Sequence, residues 1–353
     1  MTASKLASAG LAAAALALGV SACGDSDNGG DTAGAAATTG TASTKDVKVG
    51  FSNNASDQFV LTMQKLAVNQ IKDQGMTSLQ PVSASTDPGK QISDVQSLVS
   101  AGAQAMIVVP QDSSAIKPAL DFLGSKKIPA VALDTAPVGA KVAMVVMADN
   151  VKMGQDACKQ MGTWLKGKGT VLSMQGDYNT STGRDRGVGF KSCMDKEFPG
   201  IKVIERPTHW QADQAADVAN TQLKTNKDID GVYMASDTVM LSPVLSALKS
   251  AHRDAKVGQP GHVYLISIDG SSFGLQQIRA GRLDALLSQP LDLYAKYGVS
   301  YLKEAKAGQT FKVGPTDHDS RIVTVTGNLT DLLPAPLVTK DNASDPSLWG
   351  NAK

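Results

Sequence analysis

Roughly ten short, solid apolar runs, each followed by residues whose apolar positions recur every three or four, govern what this chain can fold into. Residues 47–51 form the first run, and Met63, Leu66, Ala67 and Ile71 then follow at helical spacing. Residues 79–84 form the second. Asp87-Pro88 opens a helix, with the Asp as cap and the Pro in the first turn. Its apolar face is Ile92, Val95, Leu98 and Val99, and Gly102 stops it. Further strands are expected at 105–109, 130–133, 142–146, 170–174, 202–206, 231–234, 263–268 and 285–288. Strands without polar alternation are buried on both faces, and crossover helices bury them in parallel sheets. That number of strands is large for one open sheet. The expected fold class is therefore α/β, two doubly wound parallel-sheet lobes, divided near Ala148-Asp149-Asn150 before a helix at 151–165.

The first residues stand outside this rhythm. Lys5 precedes an apolar stretch over 6–20, shorter than the roughly 18 residues of a membrane span. A positive start, an apolar middle and small residues at the end have the form of an export signal. The sequence Val20-Ser21-Ala22-Cys23 resembles a bacterial lipobox, in which cleavage leaves the cysteine first and acylated. Residues 1–22 are thus expected to be a signal peptide, and Cys23 to carry a lipid that holds the protein on the outer face of the cell membrane. From Gly24 to Thr44 only small and polar residues occur, which suits a flexible tether over 23–45.

In open parallel sheets ligands bind beyond the carboxyl ends of the strands. The residues there are Ser52, Asn53, Asn54, Ser56, Gln58 and Phe59; Asp134; Gln175, Gly176, Arg184 and Arg186; His209 and Trp210; Ser236 and Asp237; Asp269-Gly270; and Gln289. Short carboxylates and amides pair with hydroxyls, a guanidinium donates from a planar fork, and aromatic faces pack against C–H faces. The set suits a neutral polyhydroxylated ligand. An Asp after a strand also serves as a helix cap, and that alternative stays open for Asp134, Asp237 and Asp269. Trp210 and Phe59 could equally belong to the core, whereas Trp164 reads as packing.

No catalytic constellation emerges. The segment from Gly162 to Gly169 nearly spells a phosphate loop, but Gly169 replaces the metal-binding Ser or Thr and the segment ends a helix. His209, His252, His262 and His318 lack metal-ligand spacing, and there is no G-x-S-x-G elbow. No enzyme activity, metal or cofactor is expected. Lys and Arg number 34 against 33 Asp and Glu, which argues against nucleic acid as a partner. Cys158 and Cys193 fall on helices of the second lobe, where a disulfide and two buried thiols are both open readings.

Taken in order, several segments resemble the ribose-binding branch of the periplasmic sugar-binding proteins that serve ABC transporters. Residues 49–59 are similar to that family's first strand and ligand loop. Val108-Val109-Pro110-Gln111-Asp112-Ser113 looks like its N-P-x-D segment, and Ile128-Pro129-Ala130-Val131-Ala132-Leu133-Asp134 like its I-P-V-x-x-D strand. Ala148-Asp149-Asn150 looks like its S-D-N crossover. Gln175-Gly176 with Arg184-Asp185-Arg186-Gly187-Val188-Gly189-Phe190 is similar to Q-G … R-x-R-x-x-G-F, and Ile268-Asp269-Gly270 and Ser288-Gln289 to F-D-G and A-Q.

The resemblance implies a type I periplasmic binding fold with a three-crossover hinge that closes on the ligand. The lobes would be 46–148 with 290–325 and 149–289 with 326–353. The segments at 337–342 and 346–351 would supply the third crossover and a clasp on the second lobe. Asp134, Arg184, Asp269 and Gln289 would bind hydroxyls, and Phe59 and Trp210 would cover the two faces of a sugar. Gln58 stands where the ribose binder has a second aromatic, Thr135 where it has an arginine, and Ser236 and Ser56 where it has asparagines. A monosaccharide or a sugar alcohol other than ribose is the expected ligand, the polyol slightly favoured. The expected partners are a permease with its ATPase, and the protein itself is expected to be a monomer. The alternative is a sensory binding protein for a small polar signal; a repressor of the related fold is disfavoured by the leader and the lack of a helix-turn-helix segment.

Overall fold

A computed structural model describes residues 46–352; the expected leader, Cys23 and the tether lie outside the described residues. The chain runs β1 (Lys48–Asn53), α1 (Gln58–Asp73), β2 (Thr77–Ser78), β3 (Val82–Ser83), α2 (Pro88–Ser100), β4 (Ala105–Val108), α3 (Lys117–Ser125), β5 (Ala130–Leu133), β6 (Met144–Ala148) and α4 (Asn150–Trp164). It continues β7 (Gly169–Gln175), α5 (Ser181–Glu197), β8 (Ile201–Pro207), α6 (Ala212–Thr225), β9 (Ile229–Met234), α7 (Asp237–Ser250), β10 (Tyr264–Asp269), α8 (Ser272–Arg279), β11 (Ala285–Ser288) and α9 (Leu291–Lys306). The tail adds β12 (Gly314–Pro315), β13 (Arg321–Val325), β14 (Asn328–Leu333), β15 (Leu337–Val338) and a 3-10 turn, Trp349–Asn351.

The solid apolar runs are strands because both of their faces are covered: every residue of β4, β5, β6 and β11 is buried. Two sheets result. The first has nine strands, ordered β12-β13-β14-β6-β5-β4-β1-β2 with β3 also on β1; the second is ordered β15-β11-β10-β9-β7-β8. Pairing is parallel from β2 through β6 to β14 and throughout β8-β7-β9-β10-β11, and antiparallel only at the strands from the tail. One layer of core packs α1 and α9, with α4 and α5, against the two sheets; α2 and α3 cover the other face of the first, and α6, α7 and α8 that of the second. Each fully buried Leu, Ile, Val or Phe contributes about 1.5–3 kcal/mol of burial, so these layers set the lobes.

Local signals start the helices, at Asp87 as expected and at Asp57 as the structure adds. The Asp87 carboxylate accepts from the Gly89 and Lys90 amides with Pro88 in the first turn. The Asp57 carboxylate accepts from the Phe59 and Val60 amides. The near phosphate loop is a helix stop: α4 ends at Trp164, and Lys166, Gly167 and Gly169 all have positive φ.

The lobe boundary in the tail requires correction. Residues 326–333 do not join the second lobe: β13 and β14 form a hairpin through Thr326-Gly327, and β14 lies parallel to β6 in the first sheet. A two-residue turn with positive φ at both positions favours this return of the chain. The third crossover is Pro334-Ala335-Pro336, after which β15 pairs with β11 and the terminal turn packs on α8.

Helices α4 and α5 lie close together. A Cβ on Gly154 would come within 2.4 Å of the Arg186 carbonyl oxygen, and one on Gly189 within 2.2 Å of that of Val151. Cys158 and Cys193 are bonded across this contact, with Cα atoms 6.1 Å apart.

Candidate ligand-binding site

A cleft of about 600 Å³, mouth included, lies between the carboxyl ends of the two sheets. Asn54, Asp57 and Phe59 enter it after β1, Gln111 after β4 and Asp134 after β5. From the second lobe come Thr180, Thr182 and Arg186 at the start of α5, Trp210 after β8, Ser236 and Thr238 after β9, Asp269 at the end of β10 and Gln289 after β11. Tight turns deliver several of these side chains. Asp134, Trp210 and Asp269 have φ of 63°, 58° and 113°, a region that costs a non-glycine residue about 1–3 kcal/mol and that clusters at functional sites.

Arg186 organises the floor. Its Nε donates to Asn150 Oδ1 at 2.7 Å and its Nη1 to the Ala235 carbonyl at 2.8 Å and to Asp269 Oδ1 at 3.4 Å. Its Nη2 stands 3.9 Å from Asp134 Oδ1. The guanidinium also lies over the Trp210 ring, 5.7 Å from its centroid. Asp269 accepts from Ser236 at 2.5 Å, Thr238 at 2.9 Å and Gln289 Nε2 at 2.7 Å, so both its oxygens are engaged. Trp210 donates Nε1–H to Thr180 Oγ1 at 3.2 Å and lies over Gly176, where a Cβ would come within 2.0 Å of the indole.

Burial, against the pull of Arg186, pushes the Asp134 carboxyl up to about 6. Burial also raises Asp269, which Arg186 and its hydroxyl and amide donors pull back, and it raises Asp57 against the α1 amides. Two buried acceptors on the cleft wall receive no hydrogen bond from the protein: Asn54 Oδ1 and Asp134 Oδ1, the latter facing Arg186 only at ion-pair distance.

Phe59, Asp134, Trp210, Ser236, Asp269 and Gln289 are brought together in this cleft. Arg184 is not. Two residues along a helix turn the side chain by about 200°, so Arg184 points away from Arg186 and donates to the Tyr178 carbonyl on the outer side of α5. Ser56 and Gln58 are exposed and outside the cleft, because the capping geometry at Asp57 turns Asp57 and Phe59 inward. Neither Asp134 nor Asp269 caps a helix. Asp237 begins α7 and accepts from the Ser271 amide, bracing α8 behind the cleft. Asp57, Gln111, Thr180, Thr182 and Thr238 also line the cleft, outside the set the sequence singles out; a helix-capping position marks Asp57 as a cap but says nothing of a cavity.

The lobes touch around the cleft. Ser113 N–H donates to the Asn179 carbonyl at 3.0 Å, Ser181 N–H to Ser113 Oγ at 3.0 Å, and Ala136 N–H to Ser181 Oγ at 2.8 Å. The tail adds Trp349, whose ring meets that of Phe59 edge-on, centroids 6.2 Å apart. This is a closed arrangement.

Residues 49–310 match the family model described as a periplasmic binding protein domain. The chain belongs to the periplasmic binding proteins. Among curated members, the ribose import binding protein of Bacillus subtilis is 29% identical over 254 residues, covering 71% of this chain and 79% of its own. The xylitol-binding protein of Mycolicibacterium smegmatis is 29% identical over 307 residues, covering 86% of this chain and 81% of its own. Among solved structures, an ABC transporter solute-binding protein from Bacillus halodurans with bound myo-inositol superposes with a TM-score of 0.74 at 18% identity, covering 87% of this chain and 99% of that one. A periplasmic binding protein holds a solute rather than transforming it, and this chain is a binding protein, not an enzyme. Membership in this extracytoplasmic family supports export.

Proposed function

We propose that this periplasmic binding protein captures a monosaccharide or sugar alcohol between its lobes, closes on it and delivers it to the permease of an ABC importer. The observation that carries the reading is the pair of buried acceptors that no protein group hydrogen-bonds, Asn54 Oδ1 and Asp134 Oδ1, in a cleft that also holds the Phe59 and Trp210 rings. A buried acceptor without a donor costs about 1–3 kcal/mol. Hydroxyl groups supply donors at both points, while the C–H faces of a carbon chain or ring suit the aromatic surfaces. The ribose and xylitol specificities named for the two curated relatives support the same class. Thr135 beside Asp134, in place of a second guanidinium, tilts the choice toward an uncharged polyol.

In this reading Phe59, Asp134, Arg186, Trp210 and Asp269 meet the ligand, while Ser236 and Gln289 hold Asp269. The leader exports the chain, Cys23 anchors it by lipid, and the soluble body acts as a monomer. Thermal unfolding against ribose, other pentoses and hexoses, xylitol, other alditols and inositols tests the binding. A ligand at a hundredfold excess over its dissociation constant adds about 2.7 kcal/mol. A shift confined to one stereochemical group names the ligand class; no shift with any member refutes the sugar reading.

A further inference from the structure

Buried polar side chains of the cleft form a closed ring with the backbone of one hinge residue, Ala148. Ala148 ends β6 at the first crossover, and both of its backbone groups take part. Its N–H donates to the Tyr294 hydroxyl at 2.5 Å, and the phenol donates to Gln289 Oε1 at 2.8 Å. Gln289 Nε2 donates to Asp269 Oδ1 at 2.7 Å, which also accepts from Arg186 Nη1. Arg186 Nε donates to Asn150 Oδ1 at 2.7 Å, and Asn150 Nδ2 returns to the Ala148 carbonyl at 3.1 Å. Tyr294, Gln289, Asp269, Arg186 and Asn150 are each at most 3% exposed as whole residues.

The donor sense admits one arrangement. The Ala148 amide can only donate, so the single phenol proton is committed to Gln289 Oε1. That fixes which end of the Gln289 amide faces Asp269. On the other side, the Ala148 carbonyl can only accept, which turns Asn150 Oδ1 toward Arg186 and aims the guanidinium. The backbone of one residue at the first crossover, through the two peptides that flank Ala148, therefore sets the orientation of two cleft residues, one through Tyr294 in the first turn of α9 and one through Asn150.

We propose that Tyr294 and Asn150 are positioning residues that couple the hinge backbone on either side of Ala148 to Gln289, Arg186 and Asp269, so that closure and the alignment of the binding groups occur together. The proposal rests on the cleft being the binding site, but the ring itself is testable without ligand. In the purified protein, Tyr294→Phe removes one proton and one acceptor while keeping the ring volume. Its expected effects are a shifted Arg186 Nε–H resonance, on the far side of the ring from the substitution, and Ala148 amide exchange faster by about tenfold. Asn150→Ser should in turn shift the Gln289 side-chain amide resonances, which provides a second reading should either variant fold poorly. For any of ribose, xylitol or myo-inositol that binds the wild type, Tyr294→Phe should speed dissociation about tenfold with little change in association. An unchanged Arg186 Nε–H resonance in Tyr294→Phe, or unchanged Gln289 amides in Asn150→Ser, overturns the coupling whatever the sugars do. If none of the three sugars binds the wild type, the sugar reading is in question while the resonance shifts still decide the ring.

Discussion

Trp349 donates its indole Nε1–H to the main-chain carbonyl of Asp269 at 2.8 Å. The residue fourth from the C-terminal end of the described chain thus braces the peptide of a central cleft carboxylate. Its ring also meets Phe59 of the other lobe. Trp349→Ala should cost about 3–5 kcal/mol of stability by denaturant unfolding. Trp349→Phe should recover most of the packing but leave Asp269 less well held, weakening sugar binding. Equal binding by wild type and both variants would count against this brace.

Arg186 and Arg184 separate cleanly by experiment. Arg186→Ala strips the guanidinium that, among the described residues, pairs with Asp134 and Asp269, and breaking such a buried pair costs about 3–5 kcal/mol. Arg186→Lys keeps a charge without the fork and should still lose binding. Arg184→Ala should leave binding intact in calorimetric titration; loss of binding there would return Arg184 to the site.

The raised Asp134 carboxyl predicts a pH slope. A carboxyl whose value rises on folding, here from 3.8 to about 6, holds its proton more tightly in the folded chain. Folding stability therefore increases as pH falls from about 6 toward 3.8 and decreases as pH rises through that window, by about 3 kcal/mol in all. Asp57 and Asp269, both raised chiefly by burial, contribute with the same sign. Asp134→Asn should flatten the slope of urea midpoints across the window. Matching slopes for variant and wild type would refute the assignment.

The seam between Ser113 and Ser181 should tune the open–closed balance. Ser113→Ala deprives the Ser181 amide of its acceptor, at a cost of about 1–3 kcal/mol felt only when the lobes meet. Small-angle scattering of the ligand-free variant should show a larger radius of gyration than the wild type. Apparent sugar affinity should fall in proportion to the closed fraction.

The bond between Cys158 and Cys193 closes a loop of sequence separation 35, for which chain entropy predicts about 4 kcal/mol of stabilisation. Replacing both cysteines with serine should lower the unfolding midpoint accordingly. Neither cysteine lines the cleft, so sugar affinity should be unchanged.

The legible part of the site is the part that follows directly from a strand. Asp134 and Asp269 come straight after apolar runs, and a strand end in a parallel sheet is also an end of the cleft. Arg184 and Arg186 defeat the same logic, because they sit on a helix and a two-residue step reverses the direction faced. Ser56 and Gln58 fail for a related reason: the turn capped by Asp57 selects alternate residues for the interior. The tail boundary at 325 was implied by the family resemblance alone; Thr326-Gly327 marks a turn, but which strand the returning β14 joins is decided only by its pairing with β6.

The alternation of buried strands and amphipathic helices is local in origin, set by side-chain hydrophobicity and by the periods of strand and helix. It is enough on its own to determine two parallel-sheet lobes and the edge on which a ligand sits. What only the tertiary structure decided is which charges share a cavity: that Arg186 serves Asp269, that Trp349 braces Asp269, and that Ala148 closes a ring with Tyr294. Those pairs lie from 80 to 146 positions apart. Their energies depend on distance and desolvation, which exist only once the lobes have packed.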